Sequence, residues 1–431
     1  MVAMAQIRSL PDLLSAVVGG ISQCREVVLA RIWLLEKGDI CETCRFRAEC
    51  PDQTRCLHLV ASVGNSSQQA KLQLLPLAAW GYNASGQGDL PISLSDVLSL
   101  AAGSMHSLAL RRDGTVVGWG DDSLGQTDVP LDLANVIGVA AGGTHSLALK
   151  SDGTVVGWGN NAFGQAGVPA GLSNVVALAC GWEHSLALTA AGQIVAWGAG
   201  TTDTSAFPDY GQSQIPSGLS GVVAIAAGGL HSLALKGDGL VTAWGNQDYG
   251  QTGVPPGLTG VTAIAGGGGS SFALKSDGTV VAWGDDSAGQ TDIPGGLRDV
   301  IALAAGGRHC LALRADGSIA AWGDDLFGQT DLPSGLKNVV AITAGDLFSL
   351  ALIGNAPPKP QTVIQNLAWS GDTFVLEIPT TCGRVYRLEY QNSLRDAQWS
   401  ALPLVAGTGE LVALTDPSAT SAQRFYRVRQ W

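Results

Sequence analysis

Through the middle of this chain, apolar residues come in bursts of five or six, broken by Gly, Asp and Pro. One stretch shows the pattern whole. Val300-Ile-Ala-Leu-Ala-Ala ends at Gly306-Gly307, Cys310-Leu-Ala-Leu-Arg follows, and Ser318-Ile-Ala-Ala-Trp comes after Asp316-Gly317. Short apolar runs bounded by glycine predict strands. The Asp-Gly pair predicts a hairpin turn, because Gly takes positive φ at little cost. The segment from Gly323 to Pro333 is too rich in Gly, Asp and Pro for a fourth strand. The unit therefore reads as three strands and a long loop.

The unit recurs. Trp-Gly pairs begin at Trp80, Trp119, Trp158, Trp197, Trp244, Trp283 and Trp322, at spacings of 39, 39, 39, 47, 39 and 39. The His position of a His-Ser-Leu-Ala-Leu pattern is filled by His106, His145, His184, His231, Ser270, His309 and Phe348. Both series place one insertion of eight residues just after Trp197. The array opens on a lone third strand, Ala78-Ala-Trp80-Gly, and closes on two strands between Val339 and Leu352 with no Trp-Gly after them. The two partial ends add up to one unit. A ring in which the N-terminal strand completes the last blade would leave no sheet edge exposed. The expectation is all-β: a seven-bladed β-propeller of about 39-residue, three-stranded blades.

The pattern Ala-Ala-Gly-Gly-x-His-Ser-Leu-Ala-Leu-Lys-x-Asp-Gly-Thr-Val-Val-x-Trp-Gly resembles the regulator-of-chromosome-condensation repeat over residues 75–354. Its compact form is similar to the bacterial branch that includes β-lactamase inhibitor protein II. The resemblance implies the propeller fold strongly and function weakly, since propellers host unrelated activities.

Composition narrows the partners. The 431 residues carry a net charge of −12, and charged residues make up only 14%. An acidic chain is a poor match for phosphate backbones or an anionic membrane surface, so neither nucleic acid nor membrane is expected. With 46% hydrophobic residues the bulk of the chain folds. The first twenty residues lack a charged-then-apolar layout, so a cytoplasmic location is favoured, with export as the alternative.

The flanks differ from the repeat. In residues 1–70, Leu13 to Val28 reads as a helix overlapped by a strand from Val27, and Leu57-His-Leu-Val-Ala reads as a second apolar run. This stretch is similar to the front of a GAF sensor domain. Between its strands lie Cys41, Cys44, Cys50 and Cys56. Four thiolates could hold zinc or an iron–sulfur cluster; free or redox-labile thiols and disulfides are the alternatives. A Pro-rich linker at 355–361 leads to a small β-rich, sandwich-like domain at 362–431.

Candidate chemistry is sparse. The five in-register histidines read as buried hydrogen-bonding groups of the blades, and the tryptophans as packing between blades. No nucleophile, base and orienting group stand outside the repeat, so no enzyme is expected. What varies is the loop after each Trp-Gly. It carries Leu124, Phe163, Tyr249 and Phe327, with Phe207 and Tyr210 in the inserted unit, beside the acidic pairs Asp121-Asp122, Asp285-Asp286 and Asp324-Asp325. Exposed aromatics ringed by carboxylates suit a protein-binding face. The alternative is that they tuck into blade junctions. The expected function is thus a monomeric, inhibitor-like binder of a protein partner of basic character. A sensor built on the cysteine cluster is the rival, and guanine-nucleotide exchange is disfavoured for want of a basic arm.

Overall fold

The computed structural model describes residues 27–34, 57–63, 77–92, 94–356, 358, 366–370, 373–392, 398–419 and 424–431. It divides into two units, Met1–Gln73 and Leu74–Trp431. In the first, Val27–Leu34 pairs antiparallel with Leu57–Val63. These are the two runs expected to be strands; of the helix expected from Leu13 to Val28, Val27 and Val28 belong instead to the first strand, and its remainder, with Cys41, Cys44, Cys50 and Cys56, lies outside the described residues. Every element among the described residues is a strand.

The second unit contains seven three-stranded antiparallel sheets of the repeat kind, numbered here as blades 1 to 7. Blade 1 consists of Val97–Ala102, His106–Arg111 and Val116–Gly120. Blades 2 to 6 follow at the spacing of the repeat. Blade 7 is assembled from both ends of the array: Val339–Ala344 and Phe348–Ile353 are joined by Leu77–Gly81. Phe348 pairs with Gly81 and Leu352 with Leu77, in the register that every other middle strand uses for its own third strand.

Local chemistry explains the punctuation. The residue before the first strand sits in the left-handed region, as Asp96, Asn135, Asn174, Asp299 and Asn338, residue types that tolerate it best after glycine. Their carbonyls then accept the first N–H of the following hairpin, as in Ser151 N–H to Asn135 O at 2.9 Å. The third strand ends on a glycine for a steric reason. Gly120 has φ of 106°, and a Cβ there would lie 2.6 Å from the Met105 carbonyl oxygen.

The middle strands form the core. Their first five residues are buried in every blade, on both faces at once. Leu108, Leu186 and Leu233 are fully buried, each worth roughly 2 kcal/mol of transfer free energy. A single sheet cannot bury both faces of its central strand, so each blade needs a neighbour on either side.

Residues 366–431 add two three-stranded sheets, Asn366–Ser370, Thr373–Pro379 and Leu411–Asp416 in one, Ser400–Ala406, Val385–Gln391 and Phe425–Gln430 in the other. Phe374, Leu376, Tyr386, Leu388 and Leu414 from both sheets share one core. This module packs on the end of the blades that carries the middle-to-third-strand hairpins. Leu404 N–H donates to Ala190 O at 2.9 Å, the Arg429 guanidinium to Gly237 O at 2.9 Å, and Arg112 pairs with Glu410. Val385, Leu404 and Trp431 enter the same apolar cluster as Val176 and Val223 of blades 3 and 4.

Blade 7 offers a test of how the array is held. A chain starting at residue 91 lacks Leu77–Gly81 and leaves the edge of Phe348–Ile353 unpaired, whereas one starting at residue 66 keeps the strand. The shorter chain is expected to melt at least 10 °C lower and to aggregate on heating, and the longer one to melt within a few degrees of the full chain, by circular dichroism. Equal melting temperatures for the two would show that the strand adds nothing.

Candidate binding face

The blade junctions are built on one repeated acceptor. The loop leaving each blade carries a buried Gln whose main-chain carbonyl receives the indole N–H of the next blade: Trp119 to Gln87 O, Trp158 to Gln126 O, and so on to Trp80 to Gln329 O, all at 2.9–3.0 Å. The same carbonyl takes the Ser hydroxyl of that blade, as Ser146 to Gln126 O at 2.8 Å. Because the hydroxyl hydrogen is spent there, the serine oxygen must accept from the histidine of the preceding blade, His106 Nε2 at 3.0 Å. This assigns the Nε2–H tautomer and leaves Nδ1 bare, buried and unpartnered.

The two exceptions to the histidine pattern follow the same logic. Ser270 stands at the histidine position of blade 5 and Cys310 at the matching serine position of blade 6, so both halves of that pair change together. Phe348 of blade 7 fills its junction with apolar packing against Val97, Ala109 and Trp119. The Ser–His pairs cannot act as a nucleophile and base: the imidazole donates instead of accepting, and both groups are fully buried.

Burial holds the imidazoles neutral. It lowers His106, His231 and His309 to about 4, and His145 and His184 to about 3.

The seven loops lie at one end of the blades. Each is tied to the turn between first and second strands of its own blade, as in Asp121 N–H to Met105 O and Ala199 N–H to Glu183 O. Those turns from all seven blades line a single cavity of about 100 Å³. Within each loop the buried Gln side chain folds back and accepts the N–H of the variable position: Leu124, Phe163, Tyr210, Tyr249 and Phe327 to Gln126, Gln165, Gln212, Gln251 and Gln329, at 2.9–3.0 Å. The variable side chain is thus mounted on a fixed backbone.

Most of the expected contact residues do stand out from the surface. Leu124, Phe163, Phe207, Tyr249 and Phe327 are between 42% and 62% exposed. Tyr210 is half-buried. Phe327 also meets Tyr82 edge-on, with centroids 4.9 Å apart. The insertion is a small ribbon, Asp203–Ala206 paired with Asp209–Tyr210, where sequence reading had only a longer loop. Leu326, 76% exposed, was missed.

The acidic pairs have a local task. Asp121, Asp285 and Asp324 accept the N–H two residues on, and Asp122, Asp286 and Asp325 the N–H five residues on. Asn160 and Asn161 do the same in blade 2. Bonds from Thr127, Thr291 and Thr330 hold Asp122, Asp286 and Asp325 below the usual carboxylate range, so their charge persists at neutral pH. Also missed were Trp182 and Asp346, which stand at the cavity where other blades carry Gly or Ser; aligning the turns against one another would have exposed them. Among the described residues no cluster of His, Cys, Asp and Glu suits a metal ion.

This repeat has known relatives. The family model of the regulator of chromosome condensation (RCC1) repeat matches residues 97–126, 136–165, 175–202, 222–251, 261–290 and 300–329. Residues 97–329 carry RCC1 repeats. Blade 7, split across the array, is not spelled by any one stretch of sequence. The structure of Prp20p from Saccharomyces cerevisiae is similar at 21% identity, covering 66% of this chain and 93% of that one, with a TM-score of 0.55. Yeast RCC1 (Prp20) bound to Kap60 gives 21%, 67%, 90% and 0.55, and human WBSCR16 gives 21%, 64%, 98% and 0.52. At this identity the likeness speaks for the fold alone. No curated protein matches the chain.

The histidine belt of the propeller predicts its acid limit. An imidazole whose pKa is lower folded than unfolded takes up a proton on unfolding. Its contribution is therefore complete above pH 6.5 and is lost as pH falls toward 4. Each such residue adds about 1.4 kcal/mol per pH unit to the slope. Urea unfolding is expected to grow steadily easier from pH 6.5 to 4.5. His309→Phe, which copies blade 7, should flatten that slope by about one fifth. An unchanged slope would mean that the belt does not set the acid limit.

Proposed function

We propose that the seven blades close into a ring, and that the ring is a non-enzymatic platform which binds a protein partner through its loop face. Closure is supported by the strand pairing of Leu77–Gly81 and by Trp80 repeating, across 249 residues, the bond its six counterparts make locally. It is supported too by the turns: a Cβ on Gly142 would press on Gly181 O at 2.6 Å, and one on Gly345 on Gly103 O at 2.5 Å. The seventh turn meets the first as each meets the next.

The observation that carries the binding role is the mounting of large apolar side chains, exposed, on loops whose backbones buried glutamines immobilise. Preorganised aromatic anchors lose little conformational freedom on binding. Within the unit Leu74–Trp431, residues 366–431 pack on the opposite end of the blades and not on the loop face. The lasting charge of Asp122, Asp286 and Asp325 favours a partner of basic character. Protein partners are named for the yeast relatives, Gsp1p and histones in one case and Kap60 in another. An inhibitor-like mode of action fits such a platform.

The test is Phe163→Ala combined with Tyr249→Ala. Losing a hot-spot aromatic costs about 2 kcal/mol, near thirtyfold in affinity. The double variant should fold with an unchanged circular dichroism spectrum and fail to retain the protein that co-purifies with the wild type. Full retention would move the binding site off this face.

A further inference from the structure

The cavity at the centre of the loop face is not uniform. Its wall is formed by turns of mostly glycine, and two of them carry large or charged side chains, Trp182 in blade 3 and Asp346 in blade 7. Each leans toward the same side. The Trp182 ring lies over Gly229 of blade 4, where a Cβ would stand 3.0 Å from Cδ2 and Cε2. The Asp346 carboxylate lies over Gly307 of blade 6, where a Cβ would collide with Oδ1. Between them blade 5 presents Gly266-Gly267-Gly268-Gly269, with no side chain at all. An aromatic face and a carboxylate therefore flank a bare backbone floor.

The carboxylate is unspent. Asp346 has no hydrogen bond or ion pair to any described residue, although its main-chain oxygen accepts Gly307 N–H at 3.0 Å. Arg308, the residue after Gly307, donates instead to Ser287 Oγ at 2.6 Å. Burial raises the Asp346 pKa, the mark of a carboxylate short of a partner. The indole N–H of Trp182 likewise has no acceptor among the described residues.

The geometry points to a subsite for a guanidinium group, supplied by an arginine side chain that the bound partner inserts into the cavity mouth between Trp182 and Asp346. A planar guanidinium can stack on the indole while its N–H groups bond a carboxylate, which a compact ammonium does less well. A cavity of about 100 Å³ takes one head group, well short of the ~300 Å³ and upward of a drug-sized site. The inference rests on the loop face being the binding face, and adds what its centre recognises.

It can be tested without the partner, by ligand-observed NMR titration of the full chain with N-acetyl-arginine amide and with the neutral citrulline analogue. The arginine compound should bind in the millimolar range and the citrulline compound at least tenfold more weakly. Asp346→Asn and Trp182→Leu should each weaken arginine binding at least tenfold, while Trp182→Phe stays within about threefold, since it keeps an aromatic face. Equal binding of the two compounds, wild-type affinity in Asp346→Asn, or no arginine binding by the wild type would overturn the subsite. The Phe163→Ala, Tyr249→Ala variant should titrate like the wild type. Arginine binding that survives alongside an unchanged pull-down would then fault the loop aromatics and leave the subsite standing.

Discussion

The main-chain carbonyl of the loop glutamine is the point on which each blade junction turns. It accepts an indole N–H and, in six of the seven junctions, a serine hydroxyl, both from the blade that follows. Buried carbonyls have two lone pairs to satisfy, and an orphaned donor in the same place would cost a substantial part of a domain's stability. Tryptophan, serine and glutamine therefore recur together because they complete one another, and the histidine, which uses the serine oxygen left over, comes last in that chain. At Ser270 and Cys310 the chain breaks on both sides of one junction; at Phe348 only the histidine is lost, and Ser107 of the following blade keeps its bond to Gln87 O.

The same glutamine links scaffold to surface. Its carbonyl faces the junction while its side chain faces the loop, so the loop inherits the rigidity of the core. This separates two demands on the sequence. Positions that complete the junction repeat with little change, and the residue carried above the glutamine side chain is free to be Ser85, Leu124, Phe163, Tyr210, Tyr249, Ala288 or Phe327. Variation concentrated on a rigid frame is the arrangement that binding surfaces use.

The two ends of the blades are unequal in consequence. One end is taken by residues 366–431, anchored through backbone carbonyls of Ala190, Gly237 and Ile301. The other keeps its variable loops and a cavity whose glycine wall is interrupted by Trp182 and Asp346. Glycine is required there by the approach of neighbouring turns: a Cβ on Gly103 or Gly306 would strike the imidazole of its own blade. Only the residue after that glycine can carry a side chain over the cavity.

The repeat period, the three strands, the hairpin at Asp-Gly and the complementary half-units were all legible in the sequence, because each is set by local chemistry that a glycine or an apolar run displays directly. Burial of the histidines and tryptophans was legible too, from their fixed register. Other features were not. That the acidic pairs are loop-forming groups depends on N–H partners two and five residues away whose orientation only the folded loop defines. The ribbon at Asp203–Tyr210 has too few residues to show a period. Trp182 and Asp346 look like isolated lapses from glycine, 164 positions apart; they become a pair when the blades bring their turns around one cavity. Sequence determines what each unit must be, since a strand or turn answers to its nearest neighbours. Tertiary structure alone decides which variable residues meet, because that depends on the order of the blades in space.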